Sequence, residues 1–87
     1  MSPTVSDSSV VAGPGGVMTA EAGVVTGEVT VRTEVAHDRV TVRIQYVDAD
    51  EWYEVEGSPL GPADSGPRLH REIVQAVQRG LPDGLNT

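Results

Sequence analysis

The chain has 87 residues, 13 acidic and six basic side chains, a net charge of −7 and no cysteine. That length holds one small domain, and the missing thiol excludes disulfide-stapled folds, thiolate zinc sites, cysteine nucleophiles and iron–sulfur clusters. All six basic residues are arginine, so Schiff-base chemistry and a phosphate-loop lysine are excluded as well.

Residues 1 to 26 are poor in charge and rich in Ser, Thr, Gly and Ala, with Gly13-Pro14-Gly15-Gly16 in the middle. Such a stretch buries too little apolar surface to offset its ordering entropy, and the expectation is a disordered tail. No structural pattern precedes Met18, which makes Met18 a candidate start. Asp7 and the lack of any basic residue before Arg32 do not fit a secretory signal, and no apolar run is long enough to span a bilayer. A cytoplasmic location is expected.

From Gly27 the pattern becomes a strict alternation. Val29, Val31, Thr33 and Val35 share one face of a strand; Val40, Val42, Ile44 and Tyr46 share one face of the next. A hairpin turning at Ala36-His37-Asp38-Arg39 sets Val35 opposite Val40, Thr33 opposite Val42, Val31 opposite Ile44 and Val29 opposite Tyr46. The opposite face then carries Arg32 beside Arg43, a like-charge pair that needs Glu34, Glu56 or an anion nearby. A third strand over Glu51–Glu56 is expected with Tyr46 opposite Tyr53, Ile44 opposite Val55 and Val47 beside Trp52.

Prolines and glycines between Gly57 and Pro67 stop regular structure. A helix follows from about Pro67 to Arg79, with Asp64 or Ser65 as N-cap and Gly80-Leu81-Pro82 as terminator. Leu69, Ile73, Ala76 and Val77, flanked by Val74 and Leu81, form its apolar face. The expected fold is α+β: a three-stranded antiparallel meander and one C-terminal helix over residues 27 to 81, with residues 82 to 87 as a second tail.

The residues suited to chemistry are few. His37 falls in the hairpin turn and His70 near the helix start, so a shared metal would require the helix N-terminus to meet that turn, and no cysteine supplies a third ligand. The acidic run Asp48, Asp50, Glu51, Glu54 and Glu56 lacks the glycine and third acid of a calcium loop, since Trp52 and Tyr53 stand there. No nucleophile elbow, phosphate loop or zinc-protease pair occurs. No metal and no cofactor are expected, and the chain reads as a non-enzyme.

The element order is similar to that of the double-stranded-RNA-binding domain without its first helix, and to that of the MbtH-like proteins, small partners of peptide-synthetase adenylation domains. Both resemblances span residues 27 to 80 and are topological only. The first implies a basic helix N-terminus, where this chain has Arg68, His70 and Arg71 beside Asp64 and Glu72. The second implies a Ser-Leu-Trp-Pro signature, which is absent. The chain is assigned to neither family.

Two functional expectations follow. The first is a protein-binding or self-associating module, with Trp52 and Val47 as apolar anchor on the sheet face turned from the helix. Arg32 and Arg43 would add polar contacts, and Asp48, Asp50, Glu51, Glu54 and Glu56 an acidic rim. The second is an anion, nucleotide or RNA site at Arg68, His70 and Arg71. The acidic balance disfavours nucleic acid in general.

Overall fold

The computed structural model describes residues 4–36, 39–59 and 67–85. It contains strands β1 (Thr4–Val11), β2 (Val17–Thr19), β3 (Gly23–Val25), β4 (Glu28–Ala36), β5 (Arg39–Tyr46) and β6 (Tyr53–Glu54), then helix α1 (Pro67–Arg79). The fold is α+β, with antiparallel sheets and one C-terminal helix. Four strands in the order β1-β4-β5-β6 make the main sheet, and β2-β3 make a small second one. The expected three-stranded meander is therefore corrected to six strands in two sheets.

The β4–β5 hairpin has the register that alternation predicts, from Val29↔Tyr46 to Ala36↔Arg39. Burying one apolar face of both strands leaves no other pairing that keeps Val31, Val42 and Ile44 inside. The turn residues His37 and Asp38 lie outside the described residues, as do the expected N-cap residues Asp64 and Ser65. Helix α1 has the expected bounds, because the Pro-rich entry and Gly80 exit are unambiguous signals. Gly80 adopts φ +102° and donates its amide to Ala76 and Val77 carbonyls.

The segment expected to be disordered supplies three strands. β1 pairs antiparallel with β4 along its whole length, from Thr4↔Val35 to Val11↔Glu28. Val17 and Val25, at 0% and 1% exposure, join Val29, Val31, Val42, Ile44, Val55, Ile73 and Val77 in one core. The β2–β3 hairpin thus shares with α1 the inner face that the helix alone was expected to cover. Residues 54–56 link the two sheets: Thr19 forms a bridge with Val55, and Glu56 N–H donates to Met18 O. The last residues are also packed, with Leu81 bridging Val17 and Leu85 N–H donating to Glu56 O.

The glycine run reads differently in three dimensions. A Cβ on Gly13 would collide with the backbone of Gln78 and Arg79, and one on Gly80 with the Pro14 carbonyl. Gly13 N–H donates to Val77 O at 2.9 Å. The run is the place where the chain crosses the helix end backbone to backbone, which only glycine permits.

The third strand is shifted by two residues from the expected register. Arg43 pairs with Glu54 and Ile44 with Tyr53, so Trp52 falls level with Gln45 rather than Val47. Parity is preserved and every side chain keeps its face. The shift is set from beyond the strand: Val55 N–H donates to Val42 O, Ser58 Oγ accepts from Val42 N–H, and Thr19 holds Val55 from the other side. Tyr46 consequently stands diagonal to Tyr53 rather than directly opposite it, and is 38% exposed.

Candidate functional site

The outward-facing residues of β4 and β5 are Thr30, Arg32, Glu34, Thr41, Arg43 and Gln45, and none of them is buried. No described element packs across them. The face is therefore a polar platform, and its charges are arranged in a chain.

Arg32 is its centre. Its Nε and a terminal nitrogen donate to the two carboxylate oxygens of Asp7 at 2.8 and 3.0 Å, a bidentate pair across β1 and β4. The same guanidinium lies over the Trp52 ring, 4.2 Å from the centroid. The Asp7 pKa is lowered, chiefly by the hydrogen bond from Arg32, and the Arg32 pKa is raised by the same bond. Both side chains are more than a third exposed, so water screens the pair and its role is to orient rather than to stabilise. The guanidinium is fixed at one side by a carboxylate and beneath by an indole.

Arg43, directly opposite Arg32, pairs instead with Glu34 at 3.6 Å. The like-charge neighbours are thus each provided with a carboxylate, Glu34 serving in the way the pattern requires and Asp7 arriving from the segment read as a tail. Trp52 is half-buried, with one ring face under Arg32. Val47 is 43% exposed at the far end of β5, where its N–H reaches Glu28 O, and it does not adjoin Trp52 as the sequence pairing had it.

The acidic rim follows the turn from β5 to β6. Asp48, Asp50, Glu51 and Glu56 are exposed, and Glu54 is half-exposed opposite Arg43. Glu51 lies close enough to Tyr53 that its negative charge is the largest cause raising the phenol pKa. Glu21, in the β2–β3 turn, accepts from Glu54 N–H at 2.8 Å and adds a sixth carboxylate that sequence reasoning missed. Its turn is held by Thr19 Oγ1, which accepts from Ala22 N–H and donates to Gly23 O. The same local Thr-to-turn signal was present in the sequence.

Arg68 and Arg71 are exposed, whereas His70 turns inward between Ser8 Oγ at Nε2 and Thr33 Oγ1 at Nδ1, both 2.8 Å away. Thr33 is 3% exposed, and its hydroxyl hydrogen has a partner only if it donates to Nδ1. Nε2–H then donates to Ser8. Burial lowers the His70 pKa, with Asp7 opposing weakly, and the imidazole stays neutral near pH 7. A groove of about 430 Å³ opens between β1 and α1, lined by Ser8, His70, Arg71, Val74, Gln75 and Gln78.

Among the described residues no cluster of three His, Asp or Glu is placed to hold a metal ion, and no helix is long and apolar enough to cross a membrane. No protein-family model matches the chain, and no curated protein or solved structure is significantly similar to it.

Proposed function

We propose that the protein is a non-enzymatic interaction module that docks a basic protein partner on the outer sheet face. The observation that carries this reading is the Asp7–Arg32–Trp52 chain: an aromatic and a guanidinium held in one geometry on a sheet face that no described element covers, with carboxylates ringing one end. Preorganised Trp and Arg side chains supply most of the energy of typical interfaces, because little rotamer freedom remains to be lost on binding. The net charge of −7 and the rim of Asp48, Asp50, Glu51, Glu54 and Glu56 steer a cationic partner to this end.

The groove beside Arg71 supports a second reading, a small anionic ligand held by Arg71 with Gln75 and Gln78. A neutral His70 contributes no charge to it, and Arg68 does not line it. One amide-resolved NMR titration of the full chain separates the two. An arginine-rich peptide should move resonances of Arg32, Arg43, Glu54 and the Trp52 indole, with affinity falling as salt rises. Inorganic phosphate moving only Ser8, His70, Arg71 and Gln75 would favour the groove instead, and silence at the outer face under the peptide would refute the docking reading.

A further inference from the structure

The two edges of the main sheet are unequal. β6 has two residues, and the adjoining backbone is already bonded: Ala20 N–H to Glu54 O, Glu56 N–H to Met18 O, and Glu54 N–H to the Glu21 carboxylate. β1 has eight residues, and among the described residues its backbone bonds to β4 alone. In an antiparallel pair alternate residues aim their N–H and C=O away from the partner, so half of the β1 backbone groups face outward.

Proteins blunt such edges with lysine, proline, bulges or inward charges. β1 has none of these. Its pairing with β4 runs without a bulge, and its one charge, Asp7, is committed to Arg32. Among the described residues, two of the five large exposed apolar side chains, Val5 at 47% and Val11 at 63%, stand near its two ends, both on the outer face.

Symmetry selects how this edge can meet itself. Two copies related by a twofold axis perpendicular to the sheet pair outer-face residues with outer-face residues, so each symmetric register centres on one residue. Centred on Asp7, it sets two carboxylates face to face. Centred on Ser9, it sets Val11 against Asp7. Centred on Ser8, it sets Asp7 against Ser9, Ser6 against Val10, and Val5 against Val11 at both ends, so both exposed valines gain an apolar neighbour and no charge is opposed.

We propose that β1 pairs antiparallel with β1 of a second copy in the register centred on Ser8, joining two four-stranded sheets into one of eight. The contact is isologous and consumes the free edge, so assembly stops at the dimer. This inference is independent of the docking reading and has the opposite salt dependence. Two chains of −7 repel, so the dimer tightens as salt rises, whereas a basic partner is released.

Sedimentation equilibrium of the full chain tests this. The expected mass is twice the 9.1 kDa of one chain, with the dimer constant strengthening from low salt to about 0.5 M. V11E should weaken the dimer about tenfold or more, because a carboxylate is pressed against a valine at both ends. The double variant V5K/V11E should restore it, each new ammonium facing a new carboxylate. V24E, at a valine 45% exposed outside β1, should leave it unchanged. Circular dichroism confirms that each variant is folded. A wild-type chain that stays monomeric at about 1 mM, a dimer that V11E leaves intact, or a folded V5K/V11E that fails to reassociate would each overturn the proposal.

Discussion

Replacing Val17 by alanine tests whether the N-terminal segment is part of the core, and Val24 is its control in the same hairpin. Val17 is 0% exposed and belongs to the single core cluster, while Val24 is 45% exposed. Each substitution removes two methyl groups from a β2–β3 strand residue, so strand propensity changes equally in both. At Val17 the lost transfer energy is about 0.8 kcal/mol per group, or about 1.6 kcal/mol. The space of two methyls adds roughly 1 kcal/mol at about 24 cal/mol per Å³ of residual cavity. The total is about 2–3 kcal/mol, against about 0.5–1 kcal/mol at Val24, where half the transfer term is already lost and solvent fills the gap. For a domain of this size each kcal/mol lowers Tm by about 4–8 °C, so V17A should melt about 10–20 °C below the wild type. Thermal and urea unfolding followed by far-UV circular dichroism measure both. Equal, small shifts for V17A and V24A would refute the reasoning, because they would show that β2 contributes nothing to the core.

Three further outcomes follow from hydrogen bonds and burial. Burial lowers the His70 pKa below its ordinary 6.5, so the unfolded chain takes up the proton first as pH falls. The stability held by neutral His70 is thus complete above pH 6.5, declines as pH falls through the folded pKa, and levels off below it. Urea titrations across that range should show this slope in the wild type and lack it in H70Q; an unchanged slope would refute the assignment. S58A removes the acceptor 2.9 Å from the amide of fully buried Val42 and should cost about 1–3 kcal/mol, with faster hydrogen exchange at that amide. D7N removes one carboxylate from Arg32 and should leave global stability within about 0.5 kcal/mol while changing Trp52 fluorescence, since the guanidinium over the ring loses its anchor. An emission spectrum identical to wild type would show that Trp52 alone positions Arg32.

The parts of this fold that were legible in the sequence are those where one signal dominates. The β4–β5 alternation admits a single register once a face must be buried, and α1 is bounded by proline and glycine. The helix face of Leu69, Ile73 and Val77 is likewise placed by spacing alone. β1 was illegible for a physical reason: its inner face carries Ser6, Ser8 and Val10, and its outer face Val5, Asp7, Ser9 and Val11, so hydropathy does not alternate. What makes Ser8 tolerable inside is His70, 62 residues away, which bonds it. No local pattern encodes that contact. The glycine run failed in the same way, since close backbone approach and chain flexibility call for the same residue.

The outer site shows how one missed strand propagates. Asp48 and Asp50 lie in the turn, where parity says nothing, whereas Arg32, Arg43, Trp52 and Glu54 could all be placed on one face by parity, which survives any even shift of register. Their mutual distances could not, because the register of β6 is fixed by Thr19 and Ser58, and the pose of Arg32 by Asp7. Asp7 sits on the strand whose far side is the open edge. In the proposed dimer it lies beside Ser9 of the second copy, where a neighbouring strand limits the motion of β1 and hence of the carboxylate that orients Arg32. Dimerisation then stiffens the platform without touching it, and affinity for a cationic partner at fixed salt should rise with the dimer fraction. Measuring peptide affinity for V11E against V5K/V11E isolates this coupling. The two variants differ in net charge by one at position 5, so V24K combined with V11E serves as the charge-matched control. Equal affinities for the two double variants would show that the edge and the face act independently.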